Sequence, residues 1–245
     1  MLIREGDQRT VRVDVGLAAI LAGVAGAINT AGFVAVGYYS ANMTGNVSFL
    51  SEYLATSNWV VAGTFGLIVL AFIAGALASG MMINAGRRRE IRAIYALSVT
   101  AEGAVLLVMG MIALLFPAFS QSPTLILGMS FAMGLQNAAA TRISNARVRT
   151  THISGMATDM GLELSAIVDA LRGKLSQDEL RSNGAKLALH SSTIIAFLAG
   201  GVLGVLFYTS AGGAMLIGAG LLLIVICLPE LWRARAGADQ GTRNP

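Results

Sequence analysis

Four stretches of this chain carry no charged side chain, and they decide what it can fold into. No Asp, Glu, Lys or Arg occurs between Asp14 and Glu52, between Glu52 and Arg87, between Glu102 and Arg142, or between Lys186 and Glu230. A hydrocarbon core about 30 Å thick needs roughly 20 apolar helical residues to cross it, so each stretch has room for a crossing. The third and fourth stretches are long enough for an outgoing and a returning helix. Only 12% of the 245 residues are charged, against roughly 25% in a soluble domain, and that supply cannot cover a water-facing surface. The ten-residue alternating pattern of an outer-membrane barrel is absent. The expected fold class is all-α, a polytopic membrane bundle forming a single domain over residues 1–245.

Spans are expected near 15–36, 60–85, 93–116, 123–140, 188–208 and 212–229. The segment from Pro117 to Pro123 separates the third from the fourth, and Ser210, Gly212 and Gly213 separate the last two. Orientation follows from the basic residues. All 17 Lys and Arg fall within 1–14, 86–92, 141–187 and 230–245. An even number of spans puts all four segments on one side, and positive charge belongs inside. Both termini are therefore expected in the cytoplasm, with residues 1–14 as an uncleaved tail. The net charge of +4 is accounted for by orientation, and no aromatic-basic groove pattern points to nucleic acid. The lone Cys227 excludes a disulfide framework and a cysteine metal site; no metal or cofactor is expected.

Residues 43–55 and 153–168 read as helices that are too short or too charged to span. Each is expected either to dip into the bundle as a re-entrant half-helix, where protein covers its backbone, or to lie at the interface. Their surroundings match in order. Gly26-Ala27-Ile28-Asn29 pairs with Gly134-Leu135-Gln136-Asn137. Asn42-Met43-Thr44-Gly45 pairs with His152-Ile153-Ser154-Gly155, and Ala71-Phe72-Ile73-Ala74-Gly75-Ala76 pairs with Ala196-Phe197-Leu198-Ala199-Gly200-Gly201. Halves of 15–117 and 122–230, each with three spans, must run in opposite directions across the membrane. The expectation is an inverted 3+3 repeat, the architecture in which broken helices build a midplane site. Depth agrees: Asn29 stands about 22 Å from the inner face and Asn137 about 21 Å from the outer.

Several segments carry a family resemblance: Met43-Thr44-Gly45-Asn46-Val47, Gly134-Leu135-Gln136-Asn137-Ala138, and Arg149-Thr150-Thr151-His152-Ile153-Ser154-Gly155 followed by Thr158-Asp159-Met160-Gly161. With them the chain resembles the YoaK family, also classed as domain of unknown function 1275, from about Gly16 to Leu228. The resemblance implies a six-span protein of the bacterial inner membrane. It implies no substrate.

Candidate solute-binding residues are Asn29, Asn42, Thr44, Gly45, Asn46, Asn137, His152, Ser154 and Gly155. Those at the half-helix starts offer free backbone N–H groups and a positive dipole end, although Asn, Thr and Ser also simply cap helices there. Glu102, about 15 Å beyond Arg92, stands near the midplane, where a carboxylate is costly unless paired, hydrated or protonated. It is a candidate for proton or ion coupling, as is Asp159. Ser154-Gly155 with His152 and His190 is the one hint of enzyme chemistry, but the Gly-x-Ser-Gly elbow of an intramembrane serine protease is missing and no oxyanion donors are evident. The chain is read as a non-enzyme. The expected function is a small-solute secondary transporter, coupled to protons through Glu102, whose partners are the lipid bilayer and a small polar or anionic solute. The competing readings are a small-solute channel and a non-transporting membrane scaffold, and homo-oligomerisation stays open.

Overall fold

The computed structural model describes residue 2, residues 10–91 and residues 93–241. Arg4, Arg9, Arg92 and Arg243, which enter the orientation argument, lie outside the described residues. Regular structure among the described residues is helical throughout. In chain order it comprises α1 (Val11–Val36), α2 (Met43–Ala55), α3 (Trp59–Arg88), α4 (Ile94–Leu115), a 3₁₀ turn (Pro117–Gln121), α5 (Pro123–Ile143), α6 (Ile153–Leu171), α7 (Gln177–Ala211) and α8 (Gly213–Gly241).

Local chemistry sets the ends. Gly37 closes α1 in the left-handed conformation at φ 78°, its N–H bonded to the Phe33 carbonyl, a backbone geometry that glycine adopts without steric cost. Ser122 caps α5, with Pro123 in its first turn. Ser176 and Glu179 form a reciprocal capping box, so α7 starts at Gln177, well ahead of the expected span at 188–208. The added turns, from Gln177 to about Leu187, are the polar ones.

Five helices are long and apolar enough to cross a membrane: α1, α3, α4, α7 and the Gly213–Ala234 part of α8. Their outward faces carry Leu70, Leu77, Ile195 and Leu198, each more than half exposed. In water such a belt would be a costly apolar surface; in lipid it is the appropriate one. The chain is a multi-pass membrane protein. The remaining expected span, α5, is the exception in composition because its second half holds Gln136, Asn137, Thr141 and Arg142. Its burial explains why. Ala132, Met133, Gly134, Leu135 and Gln136 are consecutive and all buried, so no face is left for lipid there. A helix surrounded by protein can carry amides, provided that they find partners.

The long helices pack pairwise across the chain. The most extensive contacts join α1 to α7, α4 to α8 and α3 to α5, while α2 packs on α3 and α6 on α7. Close approach at the first and third of these pairs depends on glycine. A Cβ built on Gly26 would overlap the Phe197 carbonyl, and one built on Gly134 would overlap the Phe72 carbonyl. Hydrogen bonds reinforce the bundle. Thr30 Oγ1 donates to the Gly201 carbonyl at 2.8 Å, and the Ser79 and Ser98 hydroxyls meet at 2.7 Å between α3 and α4. Around Phe65 of α3, the rings of Tyr38, Phe49 and Tyr53 gather at centroid distances of 5.0, 5.1 and 5.8 Å, which fixes α2 to α3.

Candidate functional site

Two polar residues inside the bundle position the two short helices. Asn29 of α1 is 6% exposed, and its Oδ1 accepts the Ala41 N–H at 2.8 Å. This bond ties the segment before α2 to the bundle interior. Asn46 adds a second tie, its Nδ2 donating to the Tyr39 carbonyl at 3.0 Å. Asn42 then caps α2, its side chain accepting the Gly45 N–H at 3.1 Å. A Cβ on Gly45 would collide with that capping amide.

The start of α6 is held in a corresponding way. Asn137 of α5 accepts at Oδ1 from the Thr151 hydroxyl at 2.9 Å and from the Thr150 hydroxyl at 3.4 Å. Gln136, fully buried, donates from Nε2 to Thr150 Oγ1 and to the Leu21 carbonyl, each at 3.0 Å. His152 occupies the cap position without a side-chain capping bond. Its ring lies where a Cβ on Gly155 would fall, so glycine at 155 makes room for the imidazole just as glycine at 45 makes room for the amide.

These two helix starts, from opposite halves of the chain, border one cavity of about 810 Å³. Among the sequence-predicted site residues, Asn29, Asn42, Thr44, Gly45, Asn137, His152 and Ser154 line it, and Asn46 and Gly155 do not. Asn46 is buried against the loop that it tethers, and Gly155 sits beneath the His152 ring. Phe72 of α3 and Phe197 of α7 also contribute to the wall, as do Tyr39, Thr151 and Arg149. Sequence reasoning had not assigned these to the site. A signal was present for some of them: Phe72 and Phe197 hold equivalent places in the quoted repeat, and Arg149 opens the quoted segment that runs to Gly155.

The predicted coupling residues lie elsewhere. Glu102 is fully buried in α4, and neither carboxyl oxygen has a hydrogen-bond partner. It does not line the 810 Å³ cavity. It lies near the Cys227 thiol of α8, which is itself buried. Asp159 is exposed on α6 and is likewise not on the cavity wall. Its helical neighbour Glu163 is buried and meets His190 Nδ1 of α7 at 3.0 Å. That pair fastens α6 to α7 and commits His190 away from Ser154. A further cavity of about 590 Å³ borders His190, Lys186, Arg181 and the Asp14–Arg147 ion pair, itself 3.2 Å long.

The arrangement defines a class: a multi-pass helical membrane protein with a polar cavity where two short helices begin. The comparisons with known proteins agree with the membrane part of that class. Residues 17–228 match the family described as "Protein of unknown function (DUF1275)", and the chain belongs to this family. It is 24% identical over 160 residues to the UPF0700 transmembrane protein YoaK of Bacillus subtilis, an alignment covering 65% of this chain and 68% of that protein. No solved structure matches the chain.

Proposed function

We propose that the protein is a non-enzymatic secondary transporter of a small polar or anionic solute in the bacterial inner membrane. In this reading the chain has six spans, α5 included, and the basic segments keep both termini in the cytoplasm. The observation that carries this reading is the convergence of the α2 and α6 starts on one cavity, each held by an intramembrane asparagine. Broken helices whose N-termini face a common pocket are the means by which several transporter folds bind solute at the midplane.

The packing supports an inverted repeat of 15–117 and 122–230. Exchanging the halves maps α1 onto α5, α3 onto α7 and α4 onto α8. Under that exchange the α1–α7 contact becomes α5–α3, and the α4–α8 contact becomes itself; both are among the most extensive in the molecule. The contact of Gly26 with the Phe197 carbonyl becomes that of Gly134 with the Phe72 carbonyl. Gly103 against Gly220 becomes Gly213 against Gly110, and those contacts occur as well. Such symmetry suits two halves that rock about a shared site, so that the cavity faces each side in turn.

Coupling is assigned to Glu102, a carboxyl buried within a membrane-spanning helix with no hydrogen-bond partner among the described residues. The test is uptake by the purified chain in proteoliposomes exposed to a metabolite mixture, with and without an inward proton gradient. Gradient-dependent accumulation of a solute supports the reading. Flux that only follows the solute's own gradient would make the protein a channel, and absence of any flux would leave it a scaffold.

A further inference from the structure

The geometry points to a small organic carboxylate as the occupant of the cavity between the α2 and α6 starts. This inference rests on the solute-binding reading above and specifies its chemistry.

Charge comes first. Among the described residues, Arg149 is the only charged one on the wall, and no Asp or Glu lines it. Arg149 has no salt-bridge partner among the described residues, whereas Asp14 is engaged by Arg147 and Glu163 by His190. A planar guanidinium with five N–H donors and no protein anion is suited to a carboxylate.

The unspent hydrogen-bonding capacity has the same sign. Asn29 has committed its oxygen to Ala41, which leaves its amide hydrogens without a partner among the described residues, at a residue only 6% exposed on the cavity wall. Neither α2 nor α6 carries an acid in its first turn, and His152 supplies no capping bond to α6. The α6 end therefore meets the cavity uncapped, and the α2 end is capped only by the neutral Asn42 amide; each favours a negative group. On the acceptor side, Asn137 Oδ1 is occupied by Thr151. A cation would find no carboxylate here, and a neutral solute would leave Arg149 without an anion.

The rest of the wall excludes a fully hydrated inorganic ion as the best fit. Phe72, Phe197 and Met43 present apolar surface. The volume of about 810 Å³ falls in the range of small-molecule sites, roughly 300–1,000 Å³, in which apolar walls hold the body and a few polar groups hold the head.

The test uses a series of one shape and three charges: benzoate, benzamide and benzylamine, with inorganic phosphate as the control for a bare anion. Each is titrated against the full chain purified in detergent, with thermal unfolding and calorimetry as readouts. Benzoate should bind saturably and raise the unfolding temperature, whereas the other three should not. Arg149→Met should weaken benzoate about tenfold or more, and Arg149→Lys should weaken it less, as expected for loss of a charge-assisted bond. If Arg149→Met does not fold, the charge series on the unaltered chain still decides. Equal or better binding of benzamide, benzylamine or phosphate overturns the assignment, as does a failure of all four to bind. Benzoate binding without flux in proteoliposomes would instead remove the transporter reading and leave the carboxylate site standing. Flux of a neutral solute without benzoate binding would do the reverse.

Discussion

Asn29 and Asn137 do the same work in opposite halves of the chain. The Oδ1 of each accepts a hydrogen bond from the segment leading into a short helix, from the Ala41 N–H at 2.8 Å and from the Thr151 hydroxyl at 2.9 Å. The two bonds differ in one respect: a backbone N–H cannot turn to another acceptor, whereas a hydroxyl can. Asn29→Ala should therefore destabilise by about 1–3 kcal/mol, the cost of a buried orphan donor. Asn137→Ala should cost less. Thermal unfolding in detergent measures both, and the reverse ranking would show that the tethers are unequal for some other reason.

Close helix contact makes a second, sharper contrast. A Cβ at Gly26 meets the Phe197 carbonyl, and one at Gly80 meets nothing within 4 Å. Gly26→Val should separate α1 from α7 at a cost of at least about 1–3 kcal/mol. Gly80→Ala should be neutral or stabilising by up to about 1 kcal/mol, because alanine is the better helix former. Monodispersity and unfolding temperature after extraction distinguish the two.

Orientation is checked by cysteine labelling in intact cells. Cys227 is buried and should stay silent toward membrane-impermeant reagents. Cysteines replacing Ser120 or Ser210 should label from outside, and one replacing Ser182 only after the cells are opened. Labelling of Ser182→Cys in intact cells would invert the arrangement.

Glu102 yields a prediction with separate stability and transport arms. Its carboxyl is buried without a hydrogen-bond partner, so Glu102→Met, similar in volume and apolar, should stabilise the fold by about 1–3 kcal/mol. Glu102→Gln should insert and bind solute normally but lose accumulation driven by a proton gradient. Unchanged gradient-driven uptake in a folded Glu102→Gln protein would end the coupling role.

Much of this was legible from the residues alone, for a physical reason. In an apolar chain, a polar side chain or a helix-capping triplet is costly, so Asn29, Asn42, Thr44, Asn137, His152 and Ser154 stand out, and all of them reach the cavity. What stayed hidden was set by packing. Asn46 is one turn beyond Asn42 yet turns back to the Tyr39 carbonyl. Phe72 and Phe197 look like any lipid-facing aromatic until α3 and α7 are placed beside the short helices. Glu163 finds its partner 27 residues away in His190. That Glu102 falls inside a long apolar helix is read from the sequence, but that it lies off the cavity wall follows only from how α4 packs.

The pairing of α1 with α7, α3 with α5 and α4 with α8 has a consequence for biogenesis. Each long helix of the first half has its most extensive partner in the second half. While the ribosome is still making α5 to α8, the earlier helices are in the bilayer without those partners. Their glycine seams then face lipid instead of a neighbouring backbone. The close-packed state can be reached only once synthesis is nearly finished, and quality-control proteases act on what precedes it. A nascent chain interrupted at Pro117–Gln121 is therefore an unassembled intermediate, and its survival depends on the arrival of a complementary half.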